Sequence, residues 1–231
     1  MATIYGDDFD DIIDGFYTSD IIYGYAGDDL LYGWDGDDDI FGDWGHDTLY
    51  GGNGDDDLYG DDGDDDLYGG GGHDDLYGGD GWDDLYGGSG LDYLSGGFGD
   101  DLLSGGTGRD TLAGGAGEDE FLFKRGDSGI TTSTADTITD WNRSFDFIDM
   151  TIKGTRSNYR EVKTDARSIA TAASDADFLY GDTNVRHVFL YNPKTDKGFL
   201  ISDLNADGYF ETGVVLKNAG LASDMRFDYI I

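Results

Sequence analysis

The sequence predicts an all-β chain: a parallel solenoid of two stacked sheets, followed by a small, mostly-β C-terminal domain with one helix. Three observations predict it. A nine-residue unit recurs thirteen times without a gap from Gly6 to Leu122, and its eighth position is always large and apolar, from Ile13 through Leu76 to Phe121. Glycine is concentrated in the same stretch, 32 residues of 40. Charge divides at the same boundary: residues 6–122 hold 34 acidic residues and one basic (Arg109), against 16 acidic and 13 basic in residues 123–231. Two domains follow, 1–122 and 123–231.

Composition narrows the function classes. The chain of 231 residues carries a net charge of −36, which excludes electrostatic attraction to nucleic-acid phosphates or anionic lipid. It has no cysteine, so neither a disulfide framework nor thiolate-bound zinc is available. No run of 18 apolar residues occurs, so no transmembrane helix is expected. The opening Met1–Asp8 has neither a basic region nor an apolar core, so no N-terminal secretory signal is expected there.

Each unit has a physical reading. Position one is Gly in all thirteen copies, position four is Gly in the last eleven, and position six is always Asp. Glycines that tolerate positive φ build tight turns. Positions seven to nine, such as Asp57-Leu58-Tyr59, form a short strand with position eight on one face. A unit this small cannot bury its apolar face alone. Two units back to back make one 18-residue coil, and thirteen give about six and a half coils, roughly 30 Å long. A regular apolar phase kept thirteen times argues against an acidic low-complexity linker.

The core of such a stack is only two ladders of aliphatic side chains, and stacking places aspartates above one another. At ~5 Å each like-charge contact costs ~1 kcal/mol even in water. The bare chain is therefore expected to stay unfolded. A hard divalent cation between turns reverses the sign of every such contact, and ligand sets made only of oxygen favour calcium over zinc or copper.

The pattern Gly-Gly-x-Gly-x-Asp-x-Leu-x, clearest in Gly51–Tyr59 and Gly78–Tyr86, resembles the calcium-binding nonapeptide of RTX (repeats-in-toxin) proteins over residues 6–122. The resemblance implies a parallel β-roll in which Ca2+ lies between two successive turns of one edge. The lower turn supplies carbonyls of positions two and four, the upper turn those of positions one and three, and both supply their Asp. Carried onto this chain, Tyr25, Gly27 and Asp29 would meet Gly42, Trp44 and Asp47. On the other edge Trp34, Gly36 and Asp38 would meet Gly51, Asn53 and Asp56. Asp43, Gly45 and Asp47 would then face Gly60, Asp62 and Asp65, and Gly52, Gly54 and Asp56 would face Gly69, Gly71 and Asp74. Asp61, Gly63 and Asp65 lie below Gly78, Asp80 and Asp83, and Gly70, Gly72 and Asp74 below Gly87, Ser89 and Asp92. Gly79, Gly81 and Asp83 come next, beneath Gly96, Phe98 and Asp101. The last two pairings join Gly88, Gly90 and Asp92 to Gly105, Thr107 and Asp110, and Gly97, Gly99 and Asp101 to Gly114, Ala116 and Asp119. About nine Ca2+ sites result, each internal Asp bridging two ions. Phe9 and Thr18 replace the position-four Gly, which leaves the first two repeats as an N-terminal cap.

Position nine makes two outward aromatic ladders, Tyr32, Tyr50, Tyr68, Tyr86 and Tyr23, Phe41, Tyr59, Tyr77. Stacking that stabilises the sheets is one reading; a ligand platform formed by Tyr32, Tyr50, Tyr68, Tyr86, Tyr59 and Tyr77 for sugar rings or a partner is the other. His46 and His73 fall at variable turn positions and read as solvated.

In residues 123–231, Ala135–Trp141 and Phe145–Met150 read as strands closing the roll, similar to the segment after the repeats in serralysin-type proteases. Ala166, Ile169, Ala170 and Ala173 have helical spacing. His187–Tyr191 and Gly198–Ile201 read as a hairpin around Asn192-Pro193. Asp203, Asn205, Asp207 and Glu211 match part of an EF-hand loop and form a candidate extra metal site, although the twelfth position is Val214 where the motif has Glu. The ending Phe227–Ile231 resembles the uncleaved C-terminal signal of type I secretion, which implies the type I machinery as a partner.

No catalytic constellation is present: there is no zinc-protease motif, and Gly126-Asp127-Ser128-Gly129 only superficially matches a nucleophile motif. The expectation is a secreted, extracellular, non-enzymatic calcium-binding protein that folds on binding Ca2+. Its role would be structural, adhesive or directed to a host surface, matrix or glycan. A start Met opening directly on the first repeat favours a stand-alone protein. The alternatives are the secretion and folding module of a larger exoenzyme (protease, lipase or polysaccharide epimerase), and an adhesin or ice- or glycan-binding segment.

Overall fold

The computed structural model describes residues 1–124, 127–129, 135–141, 146–150, 159–163, 187–192, 197–202 and 212–217. Alternation of the repeat decides the architecture. Successive units send their strands to opposite sheets, so every strand pairs in parallel with the strand 18 residues away. Strand Asp57–Asp62 pairs with Asp75–Asp80 through Asp57↔Asp75, Leu58↔Leu76, Tyr59↔Tyr77, Asp61↔Gly79 and Asp62↔Asp80. On the opposite sheet, Asp66–Gly72 pairs with Asp84–Gly90 in the same way. Seven strands of the roll, from Thr3–Tyr5 to Thr111–Ala116, lie in one sheet, and seven, from Ile12–Asp14 to Glu120–Phe123, lie in the other. The result is the parallel two-sheet roll that the repeats predict.

The position-eight residues fill the space between the sheets. Ile22, Leu31, Ile40, Leu49, Leu58, Leu67, Leu76, Leu85, Leu94, Leu103, Leu112 and Phe121 are all completely buried. The ladder is continued past the repeats by Phe123, Ile138, Trp141, Ile148, Leu200, Val214 and Leu216, which belong to the same core.

The strands are longer than the expected triplet. Most run six or seven residues, through positions one to three of the following unit. The backbone there is as regular as in the triplet, with Gly52↔Gly70 and Asn53↔Gly71 in register. Position one is therefore an inward strand position, buried like position eight. Its Gly serves space and not, as the sequence reading has it, positive φ. Left-handed φ instead falls at positions two and four, as in Gly52 (119°) and Gly54 (151°). Even Tyr25, Trp34, Asp43 and Asp61 at position two adopt φ between 73° and 82°.

Two strands from beyond the repeats close the roll where the sequence places them. Asp136–Ile138 pairs in parallel with the last strand of one sheet (Thr111↔Thr137, Leu112↔Ile138). Phe147–Met150 pairs with the last of the other (Glu120↔Phe147, Phe121↔Ile148). Thr212–Lys217 then adds to Asp136–Ile138, Lys197–Ser202 to Thr212–Lys217, and His187–Asn192 to Lys197–Ser202, the last two pairings antiparallel. The expected hairpin is this last pair, with Asn192 opposite Lys197. Tyr159–Lys163 completes a sheet of twelve strands beside one of eight. Among the described residues every regular element is a strand, and no helix is long and apolar enough to cross a membrane. The helix expected around Ala166–Ala173, the loop Asp203–Glu211 and the terminal Phe227–Ile231 lie outside the described residues.

Candidate metal centre

The position-six aspartates form one column on each edge. Asp20, Asp38, Asp56, Asp74, Asp92 and Asp110 line one edge; Asp29, Asp47, Asp65, Asp83, Asp101 and Asp119 line the other, and all are at most 2% exposed. One carboxylate oxygen of each is committed to the fold. The N–H of Asp56 donates to Oδ1 of Asp74 at 3.0 Å, that of Asp74 to Oδ1 of Asp92 at 3.0 Å, and that of Asp65 to Oδ1 of Asp83 at 2.9 Å. From Asp29 to Asp110 the other oxygen is not. Oδ2 of Asp29, Asp38, Asp47, Asp56, Asp65, Asp74, Asp83, Asp92, Asp101 and Asp110 is buried with no hydrogen-bond partner. An orphaned buried carboxylate oxygen is costly, and ten in unbroken succession call for a common cation.

The glycines explain how the chain makes room. A Cβ built on Gly51 would lie 2.5 Å from Oδ2 of Asp56 and 2.8 Å from the carbonyl oxygen of Gly69 in the next coil. Any side chain at position one would displace the carboxylate. A Cβ on Gly70 would overlap the carbonyl oxygen of Gly52, and one on Gly72 that of Gly54. The carbonyls of positions two and four thus face up the roll. Those of positions one and three face down: Gly69 oxygen approaches Gly51, and Gly71 oxygen accepts the Gly54 N–H at 2.9 Å. Gly52, Gly54, Asp56, Gly69, Gly71 and Asp74 therefore all border one gap between turns. Nowhere among the described residues do three acidic or imidazole side chains converge as a metal cluster; the available donors are mostly backbone oxygens, with one or two carboxylates. That set, hard and all-oxygen, suits Ca2+. The residues present fit the ion.

The first two repeats differ. Oδ2 of Asp11 accepts the N–H of Asp7, and Oδ2 of Asp20 that of Phe16, both at 2.8 Å. Their carboxylates are satisfied by their own turns, where Phe9 and Thr18 replace the position-four Gly.

A second column escapes the sequence reading. The side chain at position five accepts the N–H of position five in the coil above: Asp55 from His73 at 2.8 Å, Asp64 from Trp82 at 2.9 Å, His46 from Asp64 at 2.8 Å through Nδ1, and His73 from Leu91 at 3.0 Å through Nδ1. His46 and His73 are exposed but tie turn to turn, which corrects their reading as merely solvated residues. The recurrence of Asp at position five was the available signal.

The aromatic ladders are stacked face to face. Tyr32, Tyr50, Tyr68 and Tyr86 follow one another at 4.9, 4.8 and 5.1 Å between ring centroids, and Phe41, Tyr59 and Tyr77 at 4.8 and 5.0 Å. Ring faces are turned to one another along the roll. Ser128, in the Gly-Asp-Ser-Gly segment, is buried; its hydroxyl donates to the Gly213 carbonyl and accepts the Asp136 N–H, both at 2.8 Å. It is a structural cross-link.

The sequence model of the RTX calcium-binding nonapeptide repeat matches in overlapping blocks at residues 3–24, 14–49, 41–76, 59–94, 86–121 and 95–128, more than half of the chain. The chain belongs to this RTX family. No curated protein matches the sequence. Among solved structures, the RTX chain is similar to the AlgE6R2 subunit of the Azotobacter vinelandii mannuronan C5-epimerase, with 25% identity over 69% of this chain and 88% of that one and a TM-score of 0.44. The AlgE6R3 subunit of that epimerase matches at 20% identity, 98% and 80% coverage and a TM-score of 0.33. The extracellular lipase LipA of Serratia marcescens matches at 15%, 99% and 40%, with 0.39.

Burial sets the acid–base behaviour of the RTX column. It pushes Asp47, Asp56, Asp83, Asp92 and Asp101 up to about 7 and Asp38, Asp65, Asp74, Asp110 and Asp119 to about 6; the donated N–H opposes the shift, and in each of these residues neighbouring carboxylates add to it. Between pH 4 and 7 the metal-free fold therefore holds protons that the unfolded chain has released. Its stability is greatest below that window and falls as pH rises through it. A cation must displace those protons. Calcium affinity is expected to fall as pH drops from 8 to 5, with protons released on binding; calorimetry in two buffers of different ionisation enthalpy measures both.

Proposed function

We propose that the chain is a secreted calcium-binding protein whose roll folds as its turns take up about nine Ca2+, and that it acts outside the cell in a structural, adhesive or surface-interacting role. The observation that supports this reading most is the unbroken run of buried position-six carboxylates, each with one oxygen used by the backbone and the other unpartnered. From Asp29 to Asp119 the ligands would be the residues that border each gap: carbonyls of positions two and four below, of positions one and three above, and the two position-six Asp. Bound calcium supplies positive charge and bridging bonds between turns. The chain's residues supply the rest. Glycines at positions one, two and four leave room for the oxygens, Oδ1 holds each carboxylate in place, and the position-eight ladder excludes water from one side. Without metal between the turns, the roll must bury carboxylates against one another, so the chain is expected to be expanded where calcium is scarce and ordered where it reaches millimolar levels. Export through the type I machinery by the C-terminus is consistent with an expanded form.

The test is calcium returned to the chelated full chain. Far-UV circular dichroism is expected to gain its β signal as calcium is added, in step with the bound ions.

A further inference from the structure

The turn-to-turn pattern does not stop with the last nonapeptide on the Asp110 edge. The N–H of Asp110 donates to Oδ1 of Asp136 at 2.8 Å, as each position-six N–H does to the Asp one coil above. The N–H of Thr137 donates to the Asp110 carbonyl at 2.9 Å, the bond that Asp57 makes to Asp38 within the repeats. Asp136, Thr137 and Ile138 therefore stand at positions six, seven and eight of a further coil. Asp136 is completely buried, and its Oδ2 has no hydrogen-bond partner. Below it, Gly106 and Gly108 keep the positive φ of positions two and four, at 87° and 152°. Above, the carbonyl of Asp127 accepts the Gly108 N–H at 3.4 Å, taking the place that a position-three carbonyl holds lower down.

We infer that Asp136 closes a further divalent-cation site at the junction of the roll and the C-terminal region, with the carboxylate of Asp110 and the carbonyls of Gly106, Gly108 and Asp127. The inference rests on the proposed calcium role of the repeats and extends it to residues outside them. Its consequence is mechanical. Asp136 opens the strand that carries Thr212–Lys217, and its N–H is held by Ser128, which also bonds Gly213. An ion here fastens that strand, and the sheet built on it, to the last coil, so that docking of the C-terminal sheet becomes calcium-dependent.

The experiment counts calcium bound to the full chain by equilibrium dialysis, for the unmodified protein and for Asp136→Asn. Asn keeps an acceptor for the Asp110 N–H and removes the charge. The variant is expected to bind one ion fewer. Emission from Trp141, the one tryptophan of four that is buried, packed against Phe121, is expected to need more calcium to reach its folded value. An unchanged count in Asp136→Asn overturns the inference. Should the variant not fold, anomalous scattering from calcium-grown crystals of the unmodified chain decides. A peak at ~2.3–2.6 Å from Asp136 Oδ2 supports the site, whereas peaks confined to the repeats overturn it while leaving the repeat sites standing. No bound calcium anywhere would instead fail the underlying reading.

Discussion

Asp74→Ala is expected to raise the calcium concentration needed for folding by an order of magnitude or more, whereas Asp75→Ala, one residue on, leaves it within about twofold. The two side chains differ in direction. Asp74 is buried in the turn column, with Oδ1 accepting the Asp56 N–H and Oδ2 unpartnered. Asp75 is half-exposed on the outer face of its strand, in register with Asp57. Removing Asp74 deletes a donor that borders the gaps above and below it and strands a buried N–H, a loss of ~1–3 kcal/mol before any metal is counted. Asp74→Asn separates the two parts, because it retains an acceptor for the N–H. If Asn is nearly as damaging as Ala, the unpartnered oxygen carries the effect. Calcium titrations of all three variants, followed by circular dichroism, provide the comparison. Equal loss at Asp74 and Asp75 would put the register of the site in error.

The second large effect is expected from a glycine. Gly72→Ala places a methyl group on the carbonyl oxygen of Gly54 at a residue with φ of 145°. An L side chain is disfavoured at such a φ by ~1–3 kcal/mol. The overlap also pushes aside a carbonyl that borders the gap between turns 54–56 and 72–74. Calcium-saturated protein is expected to lose at least ~2 kcal/mol in urea unfolding and to bind fewer ions. Gly71→Ala, at position three, is the control: a Cβ there meets nothing closer than 3.4 Å, and its φ is not in the left-handed range. It is expected to change stability little.

Much of this was legible in the residues because the repeat imposes its own phase. One apolar residue in nine, always at position eight, fixed the core ladder. Asp at position six marked the column that is buried, and Asp136 and Phe147 fell in strands that do close the roll. Three features were harder to read. Strand pairing continues through the glycines of positions one to three, since parallel stacking of identical units orders even residues with poor strand propensity. The position-five column was hidden because Asp, His and Ser accept a backbone N–H equally well, so the role is shared among unlike residues. Asp136 as a continuation of the position-six column was hidden because it lies 26 residues from Asp110 where the period is 18. Only the local string Asp-x-Ile, shared by Asp136–Ile138 and Asp146–Ile148, carried that signal.

The most direct examination of the account is a calcium titration of the chelated 231-residue chain, with far-UV circular dichroism and bound calcium recorded on the same samples. The expected result is a disordered spectrum in EGTA that converts to a β spectrum as roughly nine or more ions bind per molecule. A β spectrum that is already complete in EGTA, or one that forms with no more than a single ion bound, would contradict it.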